Sequence, residues 1–273
     1  MAMRKKAIGN LIKEVEMFDP TKYTVATAKP MPVFLLLDVS GSMDEVLDPE
    51  NCRATGETVY SDGKMWNIVE GGTTKLAVMN KAIPEMIKTF AEEEGRETEF
   101  LFSVITFGDT AQLKTPPCKV SESKWEDLTC ENDTAMGAAL RKVKAMIEDR
   151  EVIPSRAYRP TIVLVTDGAP TDEWEPAMDE FINQGRSSKC FCLAMGIGES
   201  DDSALKRFIS KTPDLAQRGG TTIPNRVFHA DDASHMYEFF KKVTMSVTQR
   251  SKSTTPNAIP SVAEDADDEE SYW

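Results

Sequence analysis

The chain has 273 residues, 40% of them hydrophobic, which suits one large domain or two small ones. Its formal net charge of −13 disfavours nucleic acid and anionic membrane surfaces as partners, and no apolar run reaches the ~20 residues that span a bilayer. Five cysteines without a C-x-x-C pair and only two histidines disfavour a disulfide scaffold or a zinc site, so we expect reduced thiols in a cytoplasmic protein.

Residues 1–30 are predicted to form an amphipathic helix and a linker. Within 3–18, the residues Ile8, Leu11, Ile12 and Val15 recur on one helical face. This helix either packs on the flank of the following domain or docks a partner.

Residues 32–43, PVFLLLDVSGSM, are the stretch around which the chain is organised. The unbroken apolar run over 33–37 is typical of a strand buried on both faces of a parallel sheet. The run ends in Asp38, Ser40 and Ser42. One carboxylate and two hydroxyls are therefore expected at the carboxyl end of a core strand, where open α/β sheets bind ligands.

A polar segment over 44–72 follows this strand. Ser61-Asp62-Gly63 lies between the β-prone stretches 57–60 and 64–67, which predicts a β-hairpin. The segment either shapes access to the strand-end site or is a decorated surface loop.

The remaining chain alternates helices with strands, which predicts an α/β fold around a mainly parallel sheet. Helices are predicted over 73–94, 135–149, 173–184 and 203–210, and from Asp231 or Asp232 to near Val247. Strands are predicted over 99–107, 161–166, 190–195 and 226–229, with 111–114 as an antiparallel edge strand that Thr115-Pro116-Pro117 stops. Residues 249–273 are predicted to form a disordered acidic tail.

Three loops at strand ends or helix starts carry oxygen donors: Asp38, Ser40 and Ser42 in the first, Thr134 in the second and Asp167 in the third. Since neighbouring parallel strands lie roughly 5 Å apart, loops at one edge of the sheet can converge. Two carboxylates and three hydroxyls suit Mg²⁺, with Mn²⁺ as the alternative. A site of this low charge leaves an open position for an acidic group of another molecule.

These residues resemble the motifs of von Willebrand factor A domains. Asp38-Val39-Ser40-Gly41-Ser42 is similar to the D-x-S-x-S signature, Thr134 to the second-loop threonine and Asp167 to the third-loop aspartate. The resemblance covers residues 31–248 and implies a Rossmann-like fold with helices on both faces of the sheet. It also implies a metal-ion-dependent adhesion site. There Ser40 and Ser42 would bind the metal directly, Asp38 and Asp167 directly or through water, and Thr134 when a partner's Asp or Glu fills the sixth position.

The residues in and around these motifs are most similar to those of bacterial TerY-type proteins, which are associated with tellurite resistance. That resemblance implies a cytoplasmic protein that works with a protein kinase and a PP2C-type phosphatase in stress or phage-defence systems. The segment 44–72 departs from the family, whose first helix usually begins soon after the D-x-S-x-S loop. The segment is therefore an insertion at the rim of the metal site.

Each motif alone has a structural interpretation: a turn at Ser40-Gly41-Ser42, a helix N-cap at Thr134 and a turn pair at Asp167-Gly168. Their joint occurrence favours a non-enzymatic, Mg²⁺-dependent protein-binding module. The rival hypothesis is a Mg²⁺-dependent phosphoryl-transfer enzyme of the haloacid-dehalogenase kind. Such enzymes need a second acid two residues after the first aspartate, where this chain has Ser40. A third hypothesis is a regulated scaffold that is phosphorylated within 251–255.

Overall fold

The computed structural model describes residues 28–61, 64–95, 98–198, 200, 202–212, 226–254 and 256–257. The predicted N-terminal helix and the acidic part of the predicted tail lie outside these residues. Within them, no helix is long and apolar enough to cross a membrane.

The described residues form a six-stranded sheet and a separate two-stranded hairpin. In chain order the strands are β1 (Lys29–Asp38), β2 (Cys52–Ser61), β3 (Lys64–Gly71), β4 (Thr98–Phe107), β5 (Ala111–Lys119), β6 (Thr161–Thr166), β7 (Phe191–Ile197) and β8 (Phe228–Ala230). The large sheet has the order β5-β4-β1-β6-β7-β8, and only the β4–β5 pair within it is antiparallel. The predicted α/β class, with one antiparallel edge strand, is confirmed.

Helices cover both faces of this sheet. They are α1 (Lys75–Glu93), α2 (Met136–Glu148), α3 (Trp174–Asn183), α4 (Asp202–Ile209) and α5 (Ala233–Ser251). Along β1, Val33, Leu35 and Leu37 pack into the core beneath α1 and α5. Phe34 and Leu36 point the other way, into the core beneath α2, α3 and α4. The continuous apolar run of β1 follows from this burial on two faces.

The order of the strands places the end of β1 where the chain changes direction across the sheet. After β1 the chain passes through α1 to β4 on one side, and after α2 it reaches β6 on the other. The loops that follow β1 and β6 therefore lie side by side at the carboxyl edge of the sheet, where open α/β sheets bind ligands.

The predicted hairpin is confirmed and is longer than predicted, since β2 and β3 pair from Cys52↔Gly71 to Ser61↔Lys64. Its base is closed beside the end of β1. The Leu47 amide donates to the Thr73 carbonyl at 2.9 Å, and the Lys75 amide donates to the Glu45 carbonyl at 3.0 Å. The insertion therefore leaves and rejoins the domain next to the predicted site.

Two predicted boundaries are wrong. Strand β5 does not stop at Thr115 but continues through Pro116 and Pro117 to Lys119. It is the edge strand, and the register of its pairing with β4 shifts on either side of Val104, so prolines can be accommodated without a lost ladder bond. Helix α5 runs to Ser251, so the first residues predicted for the tail are helical.

Candidate metal centre

Asp38 ends β1, and its side chain is completely buried. The Ser40 amide donates a 2.8 Å hydrogen bond to Asp38 Oδ1, and the Thr166 hydroxyl at the end of β6 donates to Oδ2. Both carboxylate oxygens are therefore held in fixed directions by neighbouring backbone and side chain.

Burial is the main cause that raises the pKa of Asp38 from 3.8 to about 6, and the charge of Asp167 raises it further. Hydrogen bonds from Ser40 and Thr166 act in the opposite direction but do not cancel the effect of burial. The ionised carboxylate is thus stabilised less by its surroundings than it would be in water, and a cation bound beside it would relieve that cost.

Three further donors form a chain of hydrogen bonds with Asp38. The hydroxyls of Ser40 and Ser42 lie 3.1 Å apart, and Ser42 Oγ donates to Asp167 Oδ1 at 2.8 Å. Asp167 follows Thr166 directly at the end of β6 and is 7% exposed. The structure therefore brings together four predicted donors, from two loops that are 125 residues apart in the chain.

Thr134 lies in the adjoining loop and is 6% exposed. Its amide donates to the Thr171 hydroxyl at 3.0 Å, and its carbonyl accepts from the Thr171 amide at 3.1 Å. Two residues earlier, the Asn132 carbonyl accepts from the Gly41 amide at 3.3 Å. Thr134 thus sits between the loops after β1 and β6, although no hydrogen bond in the described part of the chain joins its hydroxyl to the other four donors.

The alternative interpretation of Thr134 as a helix N-cap is wrong. The N-cap position of α2 is Ala135, whose side chain makes no capping bond, and two amides of the first turn donate to Asp172 instead. The Asp172 carboxylate accepts from the Gly137 and Ala138 amides, each at 2.9 Å. A Cβ on Gly137 would come within 2.8 Å of Trp174 Cα, so glycine permits this close approach. The hydroxyl of Thr134 is consequently not needed as a cap.

Lys75, the first residue of α1, belongs to the site although the sequence does not predict it there. Its ammonium nitrogen lies 2.7 Å from Asp167 Oδ2, 2.6 Å from Glu45 Oε2 and 3.3 Å from the Ser42 carbonyl oxygen. Burial acts to lower the pKa of Lys75, but the carboxylates of Asp167 and Glu45 outweigh it and the pKa is raised. Lys75 is therefore a charged, largely buried ammonium in contact with a predicted metal ligand.

The donor chemistry of the site fits a hard divalent cation. Every predicted donor is an oxygen, and a cation already lies against Asp167 in the form of the Lys75 ammonium. The negative charge of the site also affects the nearby thiol of Cys130. Burial, followed by the charges of Asp44, Asp167 and Asp38, raises the pKa of Cys130 to about 11. This thiol stays neutral at pH 7 and is no competitor for a hard cation.

The fold is an α/β fold with a Rossmann-like sheet. Its carboxylates and hydroxyls gather at the carboxyl end of the core strand β1. Residues 33–169, 137 of the 273, match the family model described as von Willebrand factor type A domain, and the chain belongs to that family. Domains of this family are typically metal-dependent adhesion or protein-binding modules and are generally non-catalytic.

Solved structures share the fold at low sequence identity. A von Willebrand factor type A protein from Catenulispora acidiphila is 18% identical with a TM-score of 0.52, and the match covers 81% of this chain and 43% of that one. Proximal thread matrix protein 1 from the mussel byssus, solved with a zinc-occupied MIDAS motif, is 15% identical with a TM-score of 0.50, covering 82% and 47%. The PilB minor pilin from Streptococcus sanguinis is 17% identical with a TM-score of 0.50, covering 81% and 62%.

The chain thus spans about two-fifths to three-fifths of the length of these structures. A comparison with curated proteins finds no significant match.

Proposed function

We propose that this protein is a non-enzymatic binding module that captures an acidic side chain of a protein partner through Mg²⁺, with Mn²⁺ as the alternative ion. Asp38, Ser40, Ser42, Thr134 and Asp167 would hold the metal. The bound ion would act as a Lewis acid that attracts the partner's carboxylate. The observation that carries this proposal is the set of hydrogen bonds that brings these donors together: the Ser40 amide donates to Asp38, the Ser40 and Ser42 hydroxyls are bonded to each other, and the Ser42 hydroxyl donates to Asp167.

The charge of the site supports capture of an acidic group. A divalent ion with two carboxylate ligands has no excess negative charge among its donors, and hydroxyls and water complete its shell only weakly. Mg²⁺ tends to keep waters or outside ligands in such positions. A carboxylate from a partner is a stronger ligand than water and would replace one of them.

The insertion hairpin is proposed to give the partner further contacts. Its base is hydrogen-bonded beside the site, and its strands expose apolar side chains, among them Tyr60 at 68% and Met65 at 63%. Tyr60 and Met65 pair with each other near the tip of the hairpin. Exposed apolar groups of this kind are typical of protein-binding surfaces. The hairpin is therefore the proposed source of partner specificity.

The TerY-type resemblance supports a finer proposal about the biological setting. On that basis the protein would act in a cytoplasmic stress-response, tellurite-resistance or phage-defence system, with a protein kinase and a PP2C-type phosphatase as partners. The support is the similarity of the motifs at Asp38, Thr134 and Asp167. Genes for a kinase and a phosphatase beside this gene are the expected finding, and their absence would remove the support.

Metal-dependent capture can be tested by affinity purification from the source organism with the full chain as bait. Wild type in Mg²⁺ should retain a partner that is lost in EDTA and lost with the Asp38→Ala variant, while circular dichroism shows that the variant is folded. Retention by Asp38→Ala in EDTA would contradict the proposal. Mg²⁺-dependent phosphatase turnover that disappears in Asp38→Asn would instead support the enzymatic rival.

A further inference from the structure

The two carboxylate oxygens of Asp167 have different partners. The Oδ1 atom accepts from Ser42 and faces the other predicted donors, whereas Oδ2 pairs with the Lys75 ammonium at 2.7 Å. The lysine side chain is 9% exposed and Asp167's is 0% exposed, so water screens this pair only weakly. The ammonium is thus a permanent positive charge on the far oxygen of a proposed metal ligand.

Glu45 is the second carboxylate that contacts the Lys75 ammonium. Glu45 Oε2 lies 2.6 Å from Lys75 Nζ, and the side chain of Glu45 is 42% exposed. Glu45 therefore neutralises part of the lysine charge from the solvent side. Among the described residues, Lys75 is the lysine that contacts a predicted donor of the site.

Lys75 is also attached to the base of the insertion. Its amide donates to the Glu45 carbonyl at 3.0 Å, and the neighbouring Thr74 pairs with Val46 in an isolated antiparallel bridge. The two ends of the insertion therefore fix the position of the lysine relative to the end of β1.

We propose that Lys75, tuned by Glu45, sets the affinity of this site for divalent cations. The inference rests on the proposed metal site. In the metal-free protein the ammonium neutralises part of the negative charge of the carboxylates. It also repels a divalent cation that enters the site. Removal of the lysine charge therefore strengthens Mg²⁺ binding and destabilises the metal-free protein, whereas removal of the Glu45 charge weakens Mg²⁺ binding.

The test is isothermal titration of MgCl₂ into the full chain, together with urea unfolding in EDTA. Lys75→Met keeps the aliphatic length of the side chain and is expected to lower the dissociation constant for Mg²⁺ at least ~10-fold, because the repulsion between the ammonium and the divalent ion is removed. In EDTA the same variant should unfold at a lower urea concentration, because Asp167 and Glu45 then lack their counter-ion. A purely structural role predicts the lower stability without tighter binding.

Two variants complete the experiment. Lys144→Met is the matched control, because Lys144 is 17% exposed, pairs with Glu148 at 3.4 Å and lies in α2 away from the site. It should lose stability and keep the wild-type affinity for Mg²⁺. Glu45→Gln alters a half-exposed side chain, so it should fold as wild type does and bind Mg²⁺ severalfold more weakly.

The outcomes separate this inference from the proposed function. Wild type that shows no Mg²⁺ binding overturns both. Wild type that binds Mg²⁺, with Lys75→Met binding equally or more weakly, overturns the role of Lys75 alone. If Lys75→Met does not fold, Glu45→Gln decides: weaker binding supports the role, and unchanged or tighter binding overturns it.

Discussion

Replacement of Asp38 by Asn is expected to stabilise the metal-free protein while removing its affinity for Mg²⁺. Burial raises the pKa of Asp38 from 3.8 to about 6 in the folded protein. Between about pH 4 and pH 6 the folded state therefore binds a proton that the unfolded state has lost. The free energy of unfolding falls as pH rises across this window, and the full penalty remains at pH 7.

The loss of folding stability at pH 7 can be calculated from the rise in the pKa of Asp38. A rise of about 2 pKa units corresponds to about 3 kcal/mol at pH 7. Asparagine has nearly the same shape and no charge, so Asp38→Asn should recover much of this energy. Its Oδ1 can still accept from the Ser40 amide, and its amide can donate to Thr166 Oγ1. The Thr166 hydroxyl then has the Gly168 carbonyl, 3.3 Å away, as its acceptor.

The assay is urea unfolding in EDTA at pH 7 and pH 4.5 for wild type and Asp38→Asn. The variant should be more stable at pH 7, by up to about 3 kcal/mol, and the difference should shrink at pH 4.5. Asp109→Asn is the control of opposite sign, because amide hydrogen bonds from Asp133 and Asn132 lower the pKa of Asp109. A less stable Asp38→Asn at pH 7, or a difference that does not depend on pH, would refute the reasoning.

Three further predictions concern the site and its surroundings. Because Mg²⁺ competes with the proton on Asp38, its dissociation constant should rise about 10-fold between pH 7 and pH 5, measured by calorimetry. Asp172→Ala removes the acceptor of two amides in the first turn of α2 and should cost about 1–2 kcal/mol in urea unfolding. Tyr60→Ala and Met65→Ala alter exposed side chains and should change stability by less than about 0.5 kcal/mol while weakening partner capture in Mg²⁺.

Each of these has a clear contrary outcome. Mg²⁺ affinity that is constant from pH 7 to pH 5 would show that Asp38 does not contact the ion. Wild-type stability in Asp172→Ala would show that another group caps α2. Undiminished capture by both hairpin variants would restrict the partner's contacts to the metal and the domain surface.

Much of the fold could be predicted because the local pattern and the tertiary environment agree. The apolar run of β1 is buried on both faces, and the turn signal at Ser61-Asp62-Gly63 lies where β2 and β3 form a hairpin. Prediction was wrong at the end of β5, where Pro116 and Pro117 indicated a stop. An edge strand tolerates prolines, and the edge position of β5 depends on the whole sheet rather than on its own sequence.

The candidate site likewise has residues that could be predicted from the sequence and residues that could not. Asp38, Ser40, Ser42 and Asp167 could be placed together from the sequence, because parallel strands end at one edge. Lys75 could not, since a lysine at a helix start is usually exposed. Its burial depends on two contacts that are distant in the chain, with Glu45 in the insertion and with Asp167 after β6. Asp172 was missed because it caps a helix 35 residues away in the chain.

The most direct test of the metal site is the anomalous difference density of a crystal grown with MnCl₂. One strong peak is expected within coordination distance of the Ser40 and Ser42 hydroxyls and beside Asp38 and Asp167, with Lys75 on the far oxygen of Asp167. The same crystal form of a Ser40→Ala, Ser42→Ala variant should lack the peak. Density at other residues of the wild type, with nothing at the end of β1, would contradict the account.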